Sequence, residues 1–162
     1  MAFESVVRSL RKLVELHQQL INISEQKTDL IKEGKVEKLQ EKILQERKLV
    51  LQLEQYEKER QALVESWFIS KDLTTEDMTI SSILLNLESE KQQNKLASVT
   101  TELTEAITDL KRSEQLNREL LEQSMQFVQM SLHLLSPTLE QMNYGEKDAK
   151  VDRGRSVFDS KA

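Results

Sequence analysis

The chain has 162 residues, 31% of them charged and only 4% aromatic, with three glycines, one proline and no cysteine. That profile excludes a sheet protein and points to long helices, and the missing cysteine removes disulfides, thiolate metal sites and cysteine nucleophiles together. The 23 Lys and Arg residues are interleaved with 28 Asp and Glu, so the net charge of -5 gives solubility without a field aimed at a polyanion, and nucleic acid is not an expected partner.

The start, Met1 to Arg8, carries charges and no apolar run of secretory length, so no signal segment is expected. The first helical stretch places Phe3, Val6, Leu10, Leu13, His17, Leu20 and Ser24 at alternating spacings of three and four, which predicts one buried face. Gly34 interrupts it as either a C-cap or a kink. The pattern resumes with Val36, Leu39, Ile43, Val50 and Leu53, with Leu49, Tyr56 and Leu63 on an adjoining row. The charged run Glu54 to Arg60 reads as a solvated face laced with i,i+4 pairs. Trp67-Phe68-Ile69 ends this arm at a turn over Ser70 to Thr75, and Thr74 with Asp77 predicts a short helix starting near Glu76 and including Ile80, Ile83, Leu84 and Leu87. Ile83-Leu84-Leu85-Asn86-Leu87 is far below the ~20 apolar residues of a membrane span, so no membrane insertion is expected.

The last long stretch, Leu96 to Leu135, changes character along its length. One heptad seam runs through Val99, Leu103, Ala106, Leu110, Ser113, Asn117, Leu120, Ser124, Phe127, Ser131 and Leu134. Beyond Asn117, Leu121, Met125, Val128, Met130, Leu132 and Leu135 add apolar residues outside that seam, so the helix becomes apolar around most of its circumference. Such a helix must be buried from several sides or held for a partner. Asn117 reads equally as a register-setting seam residue and as a partner contact. Ser136-Pro137 is expected to close the helix. After Met142 the chain turns to glycines and balanced charges, which predicts a flexible tail over 143–162. The expected fold is all-α: two long helical arms as an antiparallel hairpin with a short helix closing one end, and one helical domain over 1–142.

The sequence offers no catalytic constellation, phosphate-cradling loop or cofactor motif, so neither an enzyme nor a cofactor is expected. His17 falls on the packing seam, and His133 has no second ligand at metal spacing.

Leu20 to Gly34 with Leu39, then Glu46 to Val50 and Leu53 to Arg60, then Leu116 to Val128, resemble in order and spacing the flagellar export chaperones of the FlgN type. The ending, Tyr144-Gly145 and Phe158 to Ala162, is similar to tails of Gram-positive members. Lys35 follows Gly34 where the family frequently has Asp, and Glu114 stands where a first Asn often precedes Asn117. The resemblance implies a cytoplasmic, non-enzymatic chaperone of hook-filament junction proteins that also meets components of the flagellar export apparatus. Its amphipathic client segment would lie against Asn117, Leu120, Leu121, Ser124, Met125, Phe127, Val128, Met130, Leu132, Leu134 and Leu135. The alternative is a structural coiled coil that self-associates weakly through the Asn117-containing seam.

Overall fold

The computed structural model describes residues 2–74 and 76–142, and the expected tail over 143–162 lies outside them. Among the described residues every regular element is a helix: α1 (Ala2–Glu33), α2 (Val36–Ser70), α3 (Ile80–Asn86) and α4 (Glu90–Met142). The chain divides into two compact units, Met1–Leu120 and Leu121–Ala162.

In the first unit α1 is the central helix. The predicted face is buried at Phe3, Val6, Leu10, Leu13, Leu20 and Ser24, but so is a second row at Val7, Val14, Leu16, Ile23 and Lys27. An arc that wide needs two neighbours, one more than the single face read from the sequence would occupy. Gly34 supplies the first by ending α1. Its φ of 70° is open to glycine at no steric cost, and the Lys35 N–H bonds back to the Leu30 carbonyl at 3.0 Å, closing the helix in a Schellman-type cap. Gly34 is therefore a C-cap, and the first arm is a hairpin in itself. α2 runs antiparallel to α1, with Lys12 Nζ 5.5 Å from the Tyr56 ring centroid and Lys27 paired with Glu46.

The packing row of α2 is half-buried at Leu39, Ile43, Leu49, Leu53, Tyr56 and Leu63. Val36 and Val50, expected in that row, are exposed. Full burial comes only at Val64, Trp67 and Phe68, whose rings meet edge-on at 5.1 Å. These join Phe3, Val6, Val7, Leu10, Ile83, Leu87, Leu96 and Val99 in the core.

The short helix starts later than predicted. Thr79, not Thr74, is its N-cap, accepting the Ser82 N–H at 3.1 Å. Ile83 anchors it in the core, with Ile80 and Leu84 packed alongside. A break follows at Leu87, and the Ser89 hydroxyl accepts the Gln92 N–H at 3.3 Å as α4 begins.

α4 supplies the second neighbour of α1 and runs parallel to it, with Lys95 at Glu4 (2.8 Å) near one end and Ser113 at Ser24 (2.6 Å) further along. Where the sequence predicts an end at Pro137, the helix continues to Met142. Proline lacks the N–H that would bond the His133 carbonyl, yet loss of that one bond does not stop the neighbouring residues from keeping helical backbone.

Candidate protein-binding surface

The seam of α4 meets α1 through apolar contacts first and polar ones later. Leu96, Val99 and Ala106 are buried, and Leu103 and Leu110 are half-buried. At Ser113 the chemistry changes. Its hydroxyl bonds that of Ser24, while Asn117 Nδ2 donates to the Ser24 carbonyl at 2.9 Å and to Ser24 Oγ at 3.0 Å. The Thr28 hydroxyl donates to Asn117 Oδ1. Beside this layer, buried Lys27 reaches Glu46 of α2 and Glu114 of α4, tying three helices to one ammonium. Buried polar groups cost little only when paired, and every side chain named here has a partner.

This placement corrects one expected site residue. Asn117 is 2% exposed and spends both ends of its amide on α1, so it belongs to the bundle's register and presents nothing to a partner. The layer was missed in the sequence, although Ser24 on one apolar seam and Ser113 with Asn117 on another were its signal. Glu114, standing where the family often has Asn, here serves as one of the two carboxylates of Lys27.

The other expected residues are placed differently. Leu120 is half-buried. From 121 to 130 every residue is exposed, and so are Leu132, Leu134 and Leu135. Phe127 and Leu134 are each 69% exposed, and Met125, Val128, Met130 and Leu135 are more than half exposed. On the 1.5 Å rise of a helix, Leu121 to Leu135 spans about 21 Å. Between Gln123 and Leu135 there is no Asp, Glu, Lys or Arg. Scattered apolar surface residues require no explanation, but a contiguous run of this kind does.

The remaining surface offers less. A groove of about 520 Å³ is lined by Ile21, Glu25, Thr28, Asp29, Asp109, Arg112, Ser113 and Leu116, an open, mixed-charge surface whose polar members Thr28 and Ser113 are already bonded within the polar layer. On α2, Arg60 Nε donates to Glu57 at 2.8 Å, and that bond holds the Glu57 carboxyl below the usual carboxylate range. Among the described residues no group of three or more His, Asp or Glu is placed to hold a metal ion, and no helix is long and apolar enough to cross a membrane.

The model of the family described as FlgN protein matches residues 1–151. The chain belongs to the FlgN family. It is also similar to the uncharacterised protein YvyG of Bacillus subtilis (strain 168), 29% identical over 166 residues in an alignment that covers all of both chains. No solved structure matches. FlgN membership makes flagellar export chaperone the coarse function and flagellar proteins the class of partner.

Proposed function

We propose that this FlgN-family chain is a cytoplasmic chaperone of hook-filament junction proteins, and that the Leu121 to Leu135 surface of α4 receives an amphipathic terminal segment of the client. One observation carries the reading: a helix whose seam is buried in the first unit exposes large apolar side chains along about 21 Å of its later length. Leaving Phe127 and Leu134 in water forgoes roughly 1.5–3 kcal/mol each. A client helix laid on this surface recovers that free energy and hides its own apolar face, which would otherwise drive premature assembly. Ordering a disordered client end offsets part of the gain and keeps the complex releasable for export. No catalytic step and no cofactor enters this mechanism, and delivery to the export apparatus follows from handing over a client that is still unassembled.

The test is calorimetry of the purified chain with a hook-filament junction protein, intact and with each terminal segment removed. The expected outcome is a one-to-one complex that disappears with one of the truncations and changes little with added salt, since the surface carries no formal charge over Gln123 to Leu135. Absence of a complex with the intact client, or binding that survives removal of both terminal segments, would refute the reading.

A further inference from the structure

The exposed surface of α4 is wider than one helix can cover. Phe127 and Leu134 keep the heptad phase of Val99, Ala106, Ser113 and Leu120, the phase that α4 turns toward its neighbours in the first unit. Met125 and Leu132 do not. Stepping back from them by sevens reaches Arg118, Lys111 and Thr104, every one exposed. Met130 lies on the other flank, and stepping back from it reaches Gln123, Leu116, Asp109 and Glu102, which are exposed as well. So the later part of α4 is apolar at its seam, and also at the phase of Met125 and Leu132 and at Met130, both beyond the phase that the bundle covers.

Helix geometry sets the width of that surface. Successive residues are about 100° apart, so Met130 and Leu132 lie about 200° apart, on nearly opposite sides of the helix. Met130 is 62% exposed and Leu132 42%. The largely apolar arc runs from Met130 past Gln123 to Leu134 and Phe127, across the small residues Ser131 and Ser124, to Val128 and on to Leu132. The complementary arc carries Glu122, Gln126, Gln129 and His133 and is polar throughout. A single packed helix covers a stripe of roughly 100°, about half of what is apolar here.

We infer that the occupant of this surface is a pair of amphipathic helical segments from one client molecule, seated on the two flanks of α4 so that Met130 and Leu132 are buried together. The inference rests on the functional reading above and adds the architecture of the partner. Both segments present uncharged apolar faces, because no Asp, Glu, Lys or Arg lies between Gln123 and Leu135 to meet a charge. A second copy of this chain fits less well: a two-fold pair brings one α4 to the other and leaves the far flank of each in water. Two segments of one client also gain from each other, since docking of the first raises the effective concentration of the second.

The absence of native cysteine makes a thiol-accessibility test clean. Three single variants, Met130→Cys, Leu132→Cys and Gln129→Cys, all at exposed positions, are checked for unchanged helicity and alkylated with and without saturating full-length junction protein. Site-specific rates are read by mass spectrometry, and binding of each variant is measured by calorimetry on the same samples. Slowing of about tenfold or more at both Met130→Cys and Leu132→Cys, with Gln129→Cys near its free rate, supports the pair of helices. Slowing at only one flank with binding intact overturns the pair and leaves the chaperone reading standing. Slowing at both flanks without client, increasing with protein concentration, overturns it in favour of a second copy. No heat of binding and no protection overturns the chaperone reading and the pair with it.

Discussion

Residues 96–117 and 121–135 belong to one helix and one heptad, yet they do opposite things with the same kind of side chain. In the earlier stretch Leu96 and Val99 are fully packed, and the seam ends in a polar layer whose hydrogen bonds go to α1. In the later stretch Phe127 and Leu134 occupy the same phase and stand in water. Helix propensity does not distinguish the two. What differs is whether a neighbour is present, and the comparison separates residues that hold the fold from exposed residues that we propose receive a client.

The largest expected effect tests the fold side of that division. Trp67→Ala empties a site that is 1% exposed and removes the edge-on contact with Phe68, so urea unfolding should show a loss of about 3–5 kcal/mol. Phe127→Ala tests the other side. Its stability should stay within about 0.5 kcal/mol of the parent, while calorimetry with the junction protein shows a loss of about 1–4 kcal/mol in affinity. An unfolding cost at Phe127 comparable to that at Trp67 would erase the distinction between the stretches.

The boundary between them can be sharpened at Asn117. Asn117→Ala removes the hydrogen bonds that Asn117 makes with Ser24 and Thr28 across the α1–α4 interface, leaving the Thr28 hydroxyl to the Ser24 carbonyl at 3.0 Å, which should cost about 1–3 kcal/mol of stability in a denaturant titration. Any effect on client affinity should follow stability, because the side chain does not reach the surface. The smallest effect belongs to the exposed outer charges of α2. Lys58→Glu should change client affinity by no more than about 1 kcal/mol, and a loss equal to that of Phe127→Ala in calorimetry would place the binding surface on the wrong helix.

Much of this arrangement is legible along the chain, but unevenly. The α1 seam from Phe3 to Ser24 and the α4 seam from Leu96 to Asn117 are readable because period alone marks the face that a helix turns inward. Gly34 is readable as a break, and only its left-handed φ shows that the chain reverses there. The second buried row of α1 was hidden because Val14 and Leu16 fall off the first seam, and burial there depends on which two helices arrive. Thr79 outcompetes Thr74 as the cap because the core position of Ile83 settles where α3 sits. Pro137 shows the reverse error, since a residue that disfavours helix locally is carried within one.

The order of apolar and polar residues by itself determined that this chain would be helical, where its seams lie and that α4 widens its apolar surface past Asn117, because those properties follow from side-chain period and composition. Tertiary structure alone decided which apolar residues are core and which are surface. It placed Asn117, Ser24, Thr28 and Lys27 in one satisfied layer between helices far apart in sequence, and it left the large apolar residues from Leu121 to Leu135 exposed. Burial is a property of neighbours, and neighbours brought from dozens of residues away are not written in the local pattern of the helix they cover.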